Sequence, residues 1–245
     1  KHLKKHKIKK YKIVLEPVKK NTGPAILSAA LIKDIPHNQS LLFLSADHLI
    51  EKENVFYAEI KKNKQHLTDK NIFIFGIKPT SPSSKYGYFT TKKNKKKIHQ
   101  VLKFIEKPDQ KKAKKIIKHR GYWNSGMFFL RKESIIYNFK KHQFRTYNNC
   151  LKAVAKSKYR KNTYYLNKPA FSKCSPKSFD YAVLEKTKEI SAIKLDIPWS
   201  DLGSWEEICK MYNKNKKKYV KKKNIFYGPW GSYTNLFYGK TFVIN

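Results

Sequence analysis

The chain has 245 residues, 40% hydrophobic and 14% aromatic, which suits one or two domains with a sizeable core and excludes disorder throughout. Its formal net charge is +38, yet only Arg120, Arg131, Arg145 and Arg160 among its 55 basic residues are arginine. Specific nucleic-acid readers lean on arginine for bidentate contacts, so the lysine excess reads as AT-rich coding bias, with a polyanion partner as the alternative.

Residues 1–10 form a basic segment without a clear period. Ile13-Val14-Leu15 has the make-up of a short strand. Thr22 is placed to cap a helix with Pro24 in its first turn, running to about Lys33. Leu41-Leu42-Phe43-Leu44 is a continuous apolar run, the pattern of a central strand covered on both faces. A helix is expected from about Asn54 to Lys62, then a second apolar strand, Ile72–Phe75, stopped by Gly76. Strand, helix and strand of this size imply a β-α-β unit and a mostly parallel mixed sheet in an α/β fold.

Residues 78–88 read as a loop, and Lys92–Lys97 as a hairpin tip before a strand from Ile98 to Glu106. Further helices are expected at 110–119, 132–141, 148–157, 179–187 and 204–212, with strands at 127–131 and 192–197. Lys214–Lys223 is a charged linker, after which residues 226–245 turn aromatic and strand-like. The expected division is therefore an α/β domain over 1–213, a charged linker over 214–223, and a β segment over 224–245.

Cys150, Cys174 and Cys209 stand far apart with no C-x-x-C spacing, which argues against a zinc site or a disulfide framework. No apolar stretch reaches the length of a membrane span, and the start is polar. A soluble, cytoplasmic protein without a membrane partner is expected. It begins with Lys1, which points to residues upstream.

Six short motifs carry the chemistry: Ser45-Ala46-Asp47-His48, Tyr86-Gly87-Tyr88, Phe104-Ile105-Glu106-Lys107-Pro108, Trp123-Asn124-Ser125-Gly126, Asp180 through Lys186, and Trp199-Ser200-Asp201-Leu202-Gly203. Asp47 and Asp201 each follow an apolar strand at its carboxyl end, where open α/β sheets place ligands. Two such carboxylates suit Mg²⁺, which takes its other ligands from phosphate and water. The plainer alternatives are a helix cap for Asp47 and a turn residue for Asp201. Glu106 can accept sugar hydroxyls and Lys107 can face a phosphate, if a twist or bulge at the strand end turns both one way; otherwise Glu-Lys-Pro is a surface turn. Asn124 needs partners in its apolar stretch, as a ligand or within a structural turn. Gly87 permits close backbone approach or is a plain loop glycine. Asp180 opens a helix and either caps it or serves the site. No Ser-His or Cys-His pair stands out, so metal-assisted transfer fits better than nucleophilic catalysis.

In this order the motifs resemble the mannose-1-phosphate guanylyltransferases of the bacterial type, many of them fused to a mannose-6-phosphate isomerase domain. The resemblance runs from about Ile13 to about Met211. It implies a Rossmann-like nucleotidyltransferase fold that makes GDP-mannose from GTP and mannose 1-phosphate, releasing pyrophosphate. Residues Glu16 to Ile26 resemble the stretch near the guanine, which implies nucleotide-binding roles for Glu16, Asn21 and Thr22. Arg is usual where Lys20 stands, and Ala where Gly23 stands. Asp47 and Asp201 match the metal-binding acids; Gly87, Glu106, Lys107 and Asn124 match positions that hold the sugar phosphate. Lys107 is the expected catalytic lysine, and Asp180 falls in a substrate-binding motif.

Phe226 through Tyr233 resembles the opening of the isomerase β-barrel, whose metal-binding histidines are absent, so isomerase activity is not expected. The family's glycine-rich loop and Pro-Lys pair, which cradle the triphosphate, are also absent. Little or no turnover is therefore expected from the isolated chain. A non-catalytic relative that binds nucleotide sugar remains a second alternative, and homo-oligomerisation is left open.

Overall fold

The computed structural model describes residues 10–92 and 98–203, together with the backbone of three strands between 220 and 234. The expectations for residues 1–9, the hairpin tip 93–97 and the helix 204–212 lie outside the described residues. The chain divides into two compact units. One holds Lys1–Ser45 and Lys52–Ile197; the other holds Ala46–Glu51 and Pro198–Asn245.

The first unit is built on a six-stranded sheet. Its members in chain order are β2 (Ser40–Phe43), β4 (Ile72–Ile77), β5 (Tyr88–Thr91), β6 (Ile98–Ile105), β7 (Tyr122–Arg131) and β10 (Ile190–Leu195). Spatial order is β2-β7-β4-β10-β6-β5, and an added β5–β7 pairing closes five of the strands into a ring. Strands β2, β4, β10 and β5 run one way, and β7 and β6 run against them. The sheet is thus mixed, as expected, but the two opposed strands are interleaved among the others. Only β4–β10 pairs in parallel within it. β7 is longer than its predicted 127–131 because Tyr122 to Ser125 extend it toward β5.

Two strand expectations change. Leu41–Leu44 was expected at the centre of the sheet; β2 pairs only with β7 among the described strands, and its residues are half-buried. An apolar run reports that its faces are covered, not how many strands flank it: Leu41 and Phe43 pack on the core while Leu44 is exposed. Gly76 does not stop β4 but lies inside it, at a register shift. A Cβ there would sit 2.5 Å from Phe89 Cζ, so the glycine makes room for that ring across the sheet.

Helices α1 (Thr22–Ala30), α2 (Glu53–Asn63), α3 (Gln110–Lys118), α4 (Lys132–His142), α5 (Phe144–Ala155) and α6 (Lys168–Phe171) complete the unit. Asn21, not Thr22, caps α1: its side chain accepts the Thr22 N–H at 2.8 Å, from a backbone with φ of 67°. The helix ends at Ala30, short of Lys33. Leu27 of α1, Phe139 of α4, Cys150 of α5 and Ile74 and Phe128 of the sheet join one core, with Phe179 against Phe128 at 4.8 Å. Fully burying each such aromatic stabilises by about 1.5–3 kcal/mol. A small sheet of β1 (Ile13–Leu15), β9 (Thr163–Tyr165) and β8 (Lys158–Arg160) lies in the same unit. Its last two strands had no clear sequence signal.

In the second unit, β3 (Leu49–Ile50) pairs antiparallel with β11 (Trp199–Ser200). Beyond residue 219, β12 (Val220–Lys222), β13 (Ile225–Gly228) and β14 (Gly231–Thr234) form an antiparallel meander. Val220–Lys222 was expected within a linker; its backbone is instead a strand, paired residue by residue with Ile225–Tyr227. No helix among the described residues is long and apolar enough to cross a membrane.

Candidate functional site

The expected helix at 179–187 is a single wide turn, Asp180–Leu184, closed when the Glu185 N–H donates to the Asp180 carbonyl at 3.0 Å. Ala182, Val183 and Leu184 bury themselves and fix this turn to the core. Its two ends present carboxylates. Asp180 Oδ1 accepts from Asn124 Nδ2 at 2.8 Å, and Glu185 Oε1 accepts the Glu106 N–H at 3.0 Å. One segment thereby holds residues 124 on β7 and 106 at the end of β6.

Glu106 and Lys107 meet in a way that simple alternation along a strand forbids. Lys107 takes φ of 45°, in the left-handed region, and this reverses the chain just after β6. Both side chains then lie together, with Lys107 Nζ 3.8 Å from Glu106 Oε1. The glutamate side chain is only 8% exposed and the lysine 55%. The pair is therefore a sheltered carboxylate beside an exposed cation. Gly87 makes this possible: a Cβ there would lie 2.5 Å from Glu106 Oε2 and 3.1 Å from Phe104 Cζ. The Gly87 carbonyl also accepts the Asn124 N–H at 2.8 Å. Gly87, Glu106, Lys107, Asn124 and Asp180 are thus brought to one place.

Electrostatics there are set by shelter. Burial first, then the Asp180 charge and more weakly Glu185, push Glu106 up to about 7 against the pull of Lys107. Burial likewise raises Asp180 to about 6, opposed by Lys107 and by the Asn124 hydrogen bond. Near neutral pH the pair shares protons. Tyr181 is exposed, and its phenol is raised by slight burial and then by Glu106, Glu185 and Asp180. The site offers a carboxylate suited to sugar hydroxyls, an oriented amide and a flexible ammonium for a phosphate.

Glu185 and Tyr181 were not singled out from sequence. Glu185 was hidden because an ordinary helix turns residues five apart about 140° away from each other. A turn closed between residues i and i+5 brings them back toward one side.

Of the nucleotide-side expectations, Asn21 is engaged as the α1 cap, and Thr22 Oγ1 accepts the Phe179 N–H at 3.0 Å. Glu16 follows β1, and partial burial of its carboxyl raises its pKa. All three lie at the α1 entrance, where Gly23 N–H donates to the Lys177 carbonyl at 3.1 Å. A Cβ on Gly23 would sit 2.6 Å from that oxygen. Behind them, the Cys150 and Cys174 sulfurs approach to 3.5 Å as free thiols, a pairing that their sequence separation concealed.

Asp47 and Asp201 both belong to the second unit. The β3–β11 ladder sets them beside His48, whose pKa is lowered by burial and raised again by the charges of Asp47 and then Asp201. His48 also meets the Trp199 ring edge-on at 5.2 Å. Asp201 Oδ1 is buried and, among the described residues, has no hydrogen-bond partner. That orphaned oxygen and the neighbouring Asp47 suit a hard divalent cation. Among the described residues no group of three or more His, Cys, Asp or Glu side chains could hold a metal. A site using two carboxylates and phosphate oxygens needs no third.

A model of the nucleotidyl transferase family matches residues 1–218. A mannose-1-phosphate guanylyltransferase of Escherichia coli is 35% identical over 212 residues, covering 83% of this chain and 46% of the relative. The alginate biosynthesis protein AlgA of Pseudomonas aeruginosa is 32% identical over 218 residues, covering 87% of this chain and 45% of that protein. This chain spans about half the length of the curated relatives it matches. Among solved structures, one described as a mannose-6-phosphate isomerase from Helicobacter pylori has a TM-score of 0.73 at 27% identity, covering 81% of this chain and 79% of the other. Another, described as a mannose-1-phosphate geranyltransferase from Thermus thermophilus, has a TM-score of 0.69 at 22% identity, over 81% and 57% of the two chains, and supports the fold alone.

Proposed function

From the premise that this chain belongs to the nucleotidyl transferase family, we propose that it serves as a mannose-1-phosphate guanylyltransferase, joining mannose 1-phosphate to GTP with release of pyrophosphate. A phosphate oxygen of the sugar phosphate attacks the α-phosphorus of GTP, and the bond to the β,γ-diphosphate breaks. The observation that carries the reading is the convergence of Gly87, Glu106, Lys107 and Asn124, held by Asp180. Glu106 accepts sugar hydroxyls. Lys107 places a positive charge against the phosphate as it turns toward the α-phosphorus. Asn124, oriented by Asp180, supplies its remaining N–H. Glu16, Asn21 and Thr22 are assigned to the nucleotide side.

Asp47 and Asp201 would hold Mg²⁺, which when bound offsets charge on the phosphates. Its donor set is acidic oxygen throughout, as that ion prefers. The meander β12–β14 is read as the start of an isomerase-like β segment. The polyanion-binding alternative gains no support from the comparisons.

Isothermal titration with mannose 1-phosphate, glucose 1-phosphate and GDP-mannose tests the reading, alongside an assay for pyrophosphate release from GTP. The expected result is binding of the mannose compounds that is lost in Lys107→Ala. Equal binding of glucose 1-phosphate would reassign the sugar. No binding of any sugar phosphate would overturn the assignment of the site.

A further inference from the structure

We propose that Glu185 is a positioning residue, which fixes the reversed backbone at Glu106–Lys107 by accepting the Glu106 N–H, and so holds the carboxylate and ammonium of the sugar-phosphate site together. The inference rests on reading that site as one for a sugar phosphate. Three observations carry it.

The first is geometric. A lysine with φ of 45° adopts a backbone that L-residues disfavour. Such a conformation persists where neighbouring groups over-determine it. The amide immediately before it is held by a carboxylate 79 residues away in sequence, at 3.0 Å. A side-chain oxygen that accepts this N–H ties down the backbone at the point where it enters the reversal.

The second is the support of Glu185 itself. Its own N–H closes the wide turn on the Asp180 carbonyl, and Leu184 beside it is 1% exposed. The acceptor therefore hangs from a rigid element even though its residue reaches the surface.

The third is the pairing of roles within one turn. Asp180 orients Asn124 while Glu185 sets Glu106 and Lys107. The i to i+5 closure points both carboxylates at the same site, which ordinary helical spacing does not. Glu185 need not touch the sugar phosphate to matter. It sets where the groups that do touch it stand.

The test compares Glu185→Ala and Glu185→Gln in the full 245-residue chain. Gln retains a side-chain oxygen able to accept the Glu106 N–H; Ala does not. Mannose 1-phosphate affinity by isothermal titration is expected to fall at least about tenfold in Glu185→Ala and to stay within about threefold of the parent in Glu185→Gln. Hydrogen exchange at the Glu106 amide is expected to quicken in Glu185→Ala only, with exchange in the β4 core unchanged. Parental affinity in Glu185→Ala would overturn the proposal. So would an equal loss in Glu185→Gln, which would mean that charge, not the acceptor, matters. If the parent chain binds no sugar phosphate, the functional reading fails by itself. The amide exchange then still decides whether Glu185 holds the turn, because unchanged exchange in Glu185→Ala refutes it without any ligand.

Discussion

Replacing Glu106 with glutamine is expected to remove a penalty on folding that grows with pH. Glu106 moves from an ordinary 4.5 to about 7 in the folded chain, chiefly through burial. Below pH 4.5 its carboxyl is protonated in both folded and unfolded chains, so it contributes no difference. Between 4.5 and 7 the unfolded chain releases the proton and the folded chain keeps it, which favours unfolding progressively. The stability present below the unfolded value is thus lost as pH rises through the folded one. A difference of about 2.5 in pKa corresponds to about 3 kcal/mol. This is an upper figure, because Asp180 shares protons with Glu106 and part of the effect belongs to the pair. Glutamine does not titrate. Glu106→Gln is therefore expected to match the parent at pH 4 and to exceed it by up to about 3 kcal/mol at pH 8, or roughly 6–12 °C in midpoint for a domain of this size. Thermal unfolding of both proteins across this range measures the difference, in which the titration of all other groups largely cancels. A constant difference, or a parent that gains on the variant as pH rises, would refute the argument that burial outweighs Lys107 at this carboxyl.

Other outcomes follow from single contacts. Gly87→Ala places a methyl 2.5 Å from Glu106 Oε2, the end of a side chain that can move; mannose 1-phosphate affinity is expected to fall about tenfold by titration, with the fold kept. Asp201→Asn removes a carboxylate whose buried Oδ1 has no partner among the described residues; Mn²⁺ binding, followed by electron paramagnetic resonance, is expected to weaken at least about tenfold. Phe179→Ala empties a site packed by Phe128 and Phe139; denaturant unfolding is expected to show a loss of about 3–5 kcal/mol. Raising salt from about 0.05 to 0.5 M is expected to slow mannose 1-phosphate association severalfold, because the screening length around a field of exposed lysines shortens from about 14 to about 4 Å; an effect confined to dissociation would contradict this.

Much of the fold was legible. Apolar runs located β4, most of β2 and the second half of β7, and helices were expected close to Thr22–Ala30 and Gln110–Lys118, although the first is capped by Asn21 rather than Thr22. Strand order was not legible, because β7 inserts between β2 and β4 through contacts that no local pattern encodes. The strands at 158–160 and 163–165 are short and largely exposed, so they lack the apolar signature that marks a buried strand. In the site, residue types were legible and their bonds were not. Lys107 shows why: adjacent strand residues should diverge, and only a left-handed backbone, unforeseen for a lysine, brings it beside Glu106.

The plainer alternatives for the acids make claims of their own, which the hydrogen bonds decide. A capping acid must accept an N–H of the first helical turn, as Asp109 does from Lys112 at 2.7 Å, just two residues beyond the Glu106–Lys107 pair. Asp47 caps nothing: the helix that follows it begins after Lys52, without a side-chain cap. Asp180 Oδ1 accepts from Asn124 Nδ2, on strand β7, and the turn it opens has no side-chain cap either. At Asp201 the turn is bonded by the Ser200 hydroxyl, which accepts the Leu202 N–H at 3.3 Å, and Asp201 Oδ1 is buried with no hydrogen-bond partner among the described residues. In a chain carrying 55 basic residues and 17 acidic ones, acids that cap no helix are informative. Burying them is unfavourable unless something pairs with them. Burial raises the pKa of both Glu106 and Asp180, so proton uptake relieves part of that cost as pH falls. On the proposed reading, ligand hydroxyls would take over as partners of these carboxylates.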